Sequence, residues 1–225
     1  MATRSNTPSS QPADRTTPEI WLASRSPRRK TLLRQAGFEV SVIESGCDDA
    51  LLQPGDVGMT QWTVALAYLK ARAAAELLWS RSLRAASTEK STLVIGADTL
   101  VGIHDHVIGQ PTDETDAIRI INHLADAQHT VTTGVAVIDL ASGRRHLLCD
   151  SAAVRVGHLT TSQIDDYIAT RKWQGKAGAY NLSERIDAGW PITFEGDPAT
   201  IMGLPMQMLT TYLQTQWGLV ADRPA

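Results

Sequence analysis

A run of seven residues, Ser24-Arg25-Ser26-Pro27-Arg28-Arg29-Lys30, combines hydroxyl and basic side chains where a predicted strand gives way to a helix. Ser26-Pro27 is a typical helix start, a hydroxyl N-cap followed by proline at the first helical position. The N-terminal end of a helix carries partial positive charge and unpaired N–H groups, so it attracts anions and repels cations. The basic side chains clustered there indicate a phosphate site, with Ser24 and Ser26 as further donors. An ordinary solvated helix face is the alternative.

Asp98 lies inside the apolar segment 93–101, where a carboxylate is costly to bury without a partner. We expect it either to cap a turn or to be held by a cation, a metal ion or a reacting water molecule. Thr99 beside it could cap the same turn or contact a ligand. Asp48 and Asp49 follow a predicted strand and, taken alone, would be solvated. Close to Asp98 in space, they would form an all-oxygen site suited to Mg²⁺ or Mn²⁺.

Two lysines are further candidates for binding an anion. Lys70 lies among apolar residues of an Ala-rich predicted helix, where a surface lysine with a buried stem is the alternative interpretation. Lys176 lies in the loop Gly175-Lys176-Ala177-Gly178, and glycine-containing loops let backbone and an ammonium group approach a ligand closely.

Composition limits the class of protein and its partners. The 225 residues suit one sizeable core. A net charge of -3 argues against a general binder of nucleic-acid polymers. No segment approaches the roughly 18 apolar residues that span a bilayer, so no membrane partner is expected. Cys47 and Cys149 lack metal or redox spacing and are expected to be free thiols, which favours a cytoplasmic location.

The chain is predicted to hold one folded domain between two tails. Residues 1–18 are rich in Ser, Thr and Pro and lack an apolar signal-peptide core, so they predict a disordered tail. An organelle-targeting segment is the alternative, since Arg4 and Arg15 lie there. Residues 19–217 are predicted to form the domain, and residues 218–225 a short C-terminal tail.

Strands and helices alternate along the domain, but at least two hairpins intrude, which predicts a mixed rather than a purely parallel sheet. Strands are predicted at 19–23, 38–43, 92–103, 130–140 and 145–156. Helices are predicted from Pro27 to a terminating Gly37, and at 60–79, 113–124, 161–170 and 205–217. Residues 44–57 are predicted to form a loop, and residues 80–91 a polar link.

Seven blocks occur in one order along the chain and together resemble the Maf family of nucleoside triphosphate pyrophosphatases. Each block is weak alone, whereas the ordered set is specific. The blocks are LASRSPRR (22–29), LAYLKA (66–71), GADTLV (96–101), GQP (109–111), HTVTTGV (129–135), KAGAY (176–180) and IMGLP (201–205).

The resemblance implies an α/β fold with a mixed twisted sheet flanked by helices, and two lobes around a deep cleft, as in inosine triphosphatase-like proteins. It implies hydrolysis of a nucleoside triphosphate to the monophosphate and pyrophosphate, assisted by a divalent cation, Mg²⁺ or Mn²⁺. A homodimer is left open.

The resemblance also implies roles for individual residues. Asp98 matches the proton acceptor and, with Asp49, the metal-binding positions. Arg28 and Thr99 match positions tied to substrate choice. Ser24, Arg29 and Lys70 match phosphate-contacting positions. The remaining substrate-binding candidates are Gln110, Lys176 and Ser183.

Three positions depart from the family pattern: Gln110 replaces a lysine, Gly175 an aspartate and Ser183 a glutamine linked to base recognition. Glu184 could take over from Ser183. The Ser-Pro-Arg-Arg sequence is more similar to the branch acting on dTTP and UTP than to the 7-methyl-GTP branch. Two other hypotheses stay open. The departures motivate a catalytically weakened nucleotide-binding regulator of cell division, and the related cleft architecture motivates a pyrophosphatase for inosine-type nucleotides.

Overall fold

A computed structural model of the chain describes residues 17–219, except 48, 50, 51, 86–90 and 105. The predicted N-terminal and C-terminal tails therefore lie almost wholly outside the described residues, as does Asp48. In this part of the chain, no helix is both long and apolar enough to cross a membrane.

The described residues form strands and helices in the alternation that the sequence predicts. The bounds are β1 Glu19–Ala23, α1 Pro27–Gln35, β2 Val40–Val42, α2 Met59–Ala85, β3 Thr92–Ile103, β4 His106–Ile108, α3 Glu114–Leu124, β5 Ala127–Asp139, β6 Arg145–Val156, α4 Thr161–Ala169, α5 Leu182–Asp187, β7 Ile192–Glu195, α6 Pro198–Ile201 and α7 Met206–Trp217. A 3₁₀ turn, Ala177–Ala179, precedes α5.

The strands form one mixed sheet, as predicted, in the order β2-β1-β3-β5-β6-β7 with β4 paired to β3. β1 is parallel to β2 and β3 because helices α1 and α2 carry the chain across between them. The other pairs are antiparallel, and β3 with β4 and β5 with β6 are joined by short turns. The strands predicted at 19–23, 92–103 and 145–156 are confirmed residue for residue.

One edge of β3 is left open in the middle of the sheet. β1 pairs with β3 from Thr92 to Gly96, and β4 pairs with it again from Val101 to Ile103. Across residues 97–100, β5 on the other side is the strand partner that the described residues provide. The opening therefore lies beyond the carboxyl end of β1, the place where open α/β sheets bind ligands.

The apolar core on one face of the sheet is divided at the same place. Leu93, Ile95 and Ala97 of β3 belong to a cluster with α1 and α7, whereas Val101 and Ile103 belong to a second cluster with α3 and α4. Side chains alternate between the faces of a strand, so Thr99 lies on this face between the two clusters, opposite Thr133 of β5. The two clusters are the two lobes, and polar residues lie where they meet.

Helix α2 packs against the opposite face, and two glycines allow its close approach. A Cβ atom on Gly96 would lie 2.4 Å from the carbonyl oxygen of Ala67, and one on Gly134 would lie 2.8 Å from the backbone of Thr63. Asp98 points to this same face by strand alternation. The close packing therefore brings Lys70, one turn beyond Ala67, alongside Asp98.

The predicted polar link at 80–91 is wrong for its first part, because α2 continues to Ala85. Residues 80–85 are mostly polar but contain no glycine or proline, so nothing in their backbone ends the helix. The Ser80 hydroxyl donates to the carbonyl of Glu76 at 2.8 Å within the continuing helix. The short elements α5, β7 and α6 are absent from the sequence prediction.

Replacing Gly96 with alanine tests whether this packing positions the site. We expect Gly96→Ala to lower the free energy of unfolding by at least about 1–3 kcal/mol, because the new methyl group meets backbone atoms. The measurement is urea unfolding of this variant beside Gly109→Ala, whose added methyl meets nothing within 4 Å. Equal stability of the two variants would contradict close packing of α2 on β3.

Candidate active site

Ser24, Arg29 and Thr99 meet at the open edge of β3. Ser24 directly follows β1, and Arg29 lies in the first turn of α1. Thr99 lies in the stretch of β3 that pairs with β5 but with neither β1 nor β4. The predicted N-cap position of Ser26 is confirmed, but its side chain makes no capping hydrogen bond. Its backbone N–H instead donates to Ser24 Oγ at 3.1 Å. The junction is therefore organised by Ser24.

The Arg29 guanidinium binds the protein itself. Its Nε donates to the carbonyl of Gly203 at 2.9 Å, and its two terminal nitrogens donate to the carbonyl of Ala97 at 2.8 Å, to Ser24 Oγ at 3.3 Å and to Thr99 Oγ1 at 3.0 Å. An arginine carries five N–H groups, so these contacts use most of them. Burial lowers the pKa of Arg29, and the Asp98 carboxylate opposes that shift.

Arg28 is the opposite case. Its Nε is buried, and no hydrogen-bond partner for it occurs among the described residues. Burial lowers the pKa of Arg28, and Glu184 opposes the shift. A buried guanidinium N–H without a partner is costly, and Arg28 keeps this one donor unsatisfied among the described residues.

Lys70 joins two carboxylates on the other side of Arg29. Its Nζ lies 2.5 Å from Asp98 Oδ1 and 2.8 Å from Asp49 Oδ2. Burial works to lower the pKa of Lys70, but Asp98 and Asp49 outweigh it and raise that pKa. Burial raises the pKa of Asp98 above its ordinary value, although Lys70 and Arg29 oppose the shift. The site thus holds a buried carboxylate that binds a proton more readily than usual.

The same two carboxylates are the candidates for holding a divalent cation. The described residues contain no group of three or more His, Cys, Asp or Glu side chains that could hold a metal ion. Asp49 and Asp98 nevertheless bind one cationic group together. Two carboxylates suit Mg²⁺, which is usually held by one or two protein carboxylates, with substrate phosphates and water as its other ligands.

Lys176 and Glu184 form an ion pair beside Arg28. The Lys176 Nζ lies 2.9 Å from Glu184 Oε2. Burial lowers the pKa of Lys176, with Glu184 opposing. Burial alone would raise the pKa of Glu184, but its hydrogen bond and charge interaction with Lys176 lower it. The structure thus brings Glu184, rather than Ser183, to this part of the site.

Ser183 and Gln110 are not joined to these charged groups. The exposed Ser183 donates its hydroxyl to Asn181 Oδ1 at 3.0 Å, within the cap of α5. Gln110 is exposed and lines a separate cavity with His106 and His123. Its neighbour Gly109 accepts a hydrogen bond from the Gly178 N–H at 3.0 Å. The GQP block is therefore adjacent to the KAGAY block in space.

The KAGAY block is anchored by a buried histidine. His129 Nε2 lies 2.8 Å from the Tyr180 hydroxyl, and the two rings meet edge to face. Only 2% of His129 is exposed. Burial lowers its pKa to about 4, so the ring is neutral. The histidine that opens the HTVTTGV block therefore fixes the position of the Lys176 loop.

The site and fold are those of an α/β protein with a cationic crevice and a buried carboxylate at the open edge of its sheet. A family model for Maf-like proteins matches residues 19–216. The chain belongs to the Maf family.

Curated relatives match over nearly their whole lengths. A dTTP/UTP pyrophosphatase of Pelotomaculum thermopropionicum is 36% identical over 87% of this chain and 95% of its own. Proteins of the same name from Acetivibrio thermocellus and Moorella thermoacetica are 33% and 35% identical, over 87% and 90% of this chain and 94% and 99% of theirs.

The neutral His129 predicts a pH dependence of stability. The unfolded chain, with an ordinary histidine pKa of about 6.5, takes up this proton before the folded chain does as the pH falls. The stabilisation is therefore present above about pH 6.5 and is lost toward pH 4, a change on the order of 3 kcal/mol. We expect urea unfolding at pH 7 and pH 4.5 to show a larger loss for the wild type than for His129→Gln. Equal losses would exclude this role.

Proposed function

We propose that the chain hydrolyses a nucleoside triphosphate to the monophosphate and pyrophosphate, with dTTP and UTP as the first substrates to test. The observation that carries the proposal is one site that holds a half-buried arginine with an unsatisfied Nε and a buried carboxylate paired with a lysine. The first suits a polyanion and the second suits proton transfer from water. The relatives, which are dTTP/UTP pyrophosphatases, agree with this chemistry.

Arg28 is the principal phosphate ligand in this proposal, and Ser24 assists it. The Ser24 oxygen already accepts hydrogen bonds from the Ser26 N–H and from Arg29. Its single proton is therefore left to donate to a phosphate oxygen. Arg29 contributes positive charge without a direct hydrogen bond to the phosphates, because most of its donors are bound within the protein. Lys70 and Lys176 supply further charge at the two ends of the crevice.

Asp98 is the proton acceptor in this proposal. Its raised pKa brings it closer to neutral pH, where a general base works best. Lys70 keeps it ionised in the free protein and is near enough to balance charge on the phosphates. Asp49 and Asp98 would hold a divalent cation, which would spread the negative charge of the triphosphate and lower the pKa of bound water.

The base and sugar lie toward Lys176 and Glu184 in this arrangement. Glu184 presents a hydrogen-bond acceptor in this region. The glutamine of the family pattern corresponds to the preceding residue, Ser183. Gln110 and Ser183, as placed, make no contact with the charged groups among the described residues. The resemblance ties Arg28 and Thr99 to substrate choice, and the charge of Arg28 interacts with that of Glu184.

The proposal is tested by assaying pyrophosphate release from dTTP, UTP and a panel of other nucleotides, including ITP and 7-methyl-GTP, with Mg²⁺ or Mn²⁺. We expect Asp98→Asn to reduce kcat by about 10²- to 10⁴-fold, the usual contribution of a general base. No turnover of any nucleotide above that variant would reject the proposal. Thermal stabilisation by nucleotide without turnover would favour the nucleotide-binding regulator instead.

Removing Lys70 should change the pH dependence of the same reaction. Activity requires ionised Asp98, so kcat/KM falls as the pH drops through the pKa of that group. Lys70 lowers this pKa, and Lys70→Met should therefore move the acid limb of the kcat/KM profile to higher pH while reducing the plateau. An unchanged midpoint would show that Asp98 is not the titrating base.

Substitutions of the two adjacent arginines should have different effects on kinetics and stability. We expect Arg28→Lys to raise KM about tenfold or more without changing the melting temperature, because a charge-assisted hydrogen bond is worth about 1.5–3 kcal/mol. Arg29→Lys should lower both kcat/KM and the free energy of unfolding, since it leaves buried acceptors at Ala97 and Gly203 unpaired. The measurements are steady-state kinetics and thermal unfolding of both variants. Destabilisation by Arg28→Lys alone would reverse the assignment.

A further inference from the structure

Arg29 belongs to a closed ring of hydrogen bonds. One terminal nitrogen donates to Thr99 Oγ1 at 3.0 Å, and Thr99 Oγ1 lies 2.9 Å from Thr133 Oγ1. Thr133 Oγ1 donates to the carbonyl of Thr200 at 2.7 Å. The Gly203 N–H donates to the same carbonyl at 3.1 Å, and the Gly203 carbonyl accepts from Arg29 Nε at 2.9 Å. The guanidinium is thus held at two of its nitrogens by one continuous set of groups.

The direction of each hydrogen bond in the ring is determined. The single hydroxyl proton of Thr133 goes to the Thr200 carbonyl, which can only accept. Thr133 Oγ1 must then accept from Thr99, so the Thr99 proton is used as well. Thr99 Oγ1 therefore accepts from Arg29 and has no proton to offer a ligand. If Thr133 lost its hydroxyl, Thr99 would be free to rotate away from Arg29.

The part of the ring formed by Thr133 and Thr200 is excluded from water. Thr133 and Thr200 are both completely buried, with 0% exposure. The Thr200 hydroxyl donates to Asp150 Oδ2 of β6 at 2.5 Å, which ties α6 to the sheet. Gly203 has φ +107, and a Cβ there would lie 3.0 Å from Arg29 Nε. A side chain at this position would therefore displace the guanidinium.

We propose that Thr133 is a positioning residue for the reaction, acting through Thr99 and Arg29 and never touching the substrate. This inference rests on the proposed function. Arg29 sets the width of the crevice by joining Ser24, β3 and the α6–α7 connection, and a displacement of about 1 Å in a catalytic site can cost about 10²-fold in rate. Thr133 specifies the hydroxyl orientation that keeps Arg29 in place.

Thr133→Val removes the hydroxyl at nearly constant volume, and Thr132→Val is its matched control. Thr132 is equally buried and bonded, with Oγ1 2.8 Å from Ser151 Oγ, but it lies outside the ring. We expect Thr133→Val to lower kcat/KM about tenfold or more, by analogy with other small displacements in catalytic sites, and Thr132→Val to have no comparable effect. The two melting temperatures should fall by similar amounts. Thr133→Ser should restore activity.

A double variant with Arg29→Lys distinguishes a positioning role of Thr133 from a general loss of stability. In an Arg29→Lys background, Thr133→Val should have little further effect on kcat/KM, because the group it positions is gone. The ¹⁵N-edited NMR signal of the Arg29 Nε–H should also shift in Thr133→Val and not in Thr132→Val, whether or not the enzyme assay succeeds. If Thr133→Val does not fold, Thr133→Ala against Thr133→Ser makes the same comparison, since both lose the methyl group and only serine keeps the hydroxyl.

Two results would overturn the inference: equal kcat/KM for Thr133→Val and Thr132→Val, or an unchanged Arg29 signal in Thr133→Val. A wild type that hydrolyses no nucleotide, together with a shifted Arg29 signal, would reject the proposed function and leave the structural ring intact. The two failures are therefore distinguishable.

Discussion

The structure of the site depends on the burial of one guanidinium. Arg29 lies where β3 has a strand partner on one side only among the described residues. It donates to the backbone carbonyl of Ala97 there and to the side-chain hydroxyl of Thr99. A charged group removed from water must have its donors satisfied. That requirement draws the Ser24 junction and the Gly203 turn to the same point, although they are far apart in the sequence. The crevice is the space that remains beside them.

The two neighbouring arginines therefore differ in how their N–H groups are satisfied, although their side chains are chemically identical. Arg29 is satisfied by the protein, whereas the half-buried Arg28 has a buried Nε without a partner among the described residues. On the far side, Lys70 pairs with both Asp98 and Asp49, one positive charge against two negative ones. The basic group with an unsatisfied donor is Arg28. This is why the proposed triphosphate is placed against Arg28 and Ser24, with the carboxylates at its end.

Sequence patterns predicted the parts of this molecule whose local signal is strong. β3 is a long apolar run, and α1 starts at Ser26-Pro27 and ends before Gly37, which has φ +81. The pattern missed α5, β7 and α6, which are four to six residues long and too short for a periodicity. It also identified the basic cluster but not the different roles within it. That division depends on Thr133 and Gly203, whose contacts with the Arg29 ring exist only after folding.

The departures from the family pattern lie at different places in the structure. Gln110 takes the place of a lysine but lines a separate cavity, whereas Glu184, next to Ser183, compensates the charge of Lys176 at 2.9 Å. The end formed by Arg28, Ser24 and Lys70 keeps its cations. A nucleotide has its negative charge on the phosphates and little on the base, so this uneven distribution favours one orientation in the crevice. In the proposed function, Arg28, Ser24 and Lys70 meet the phosphates, and Lys176 and Glu184 lie toward the base.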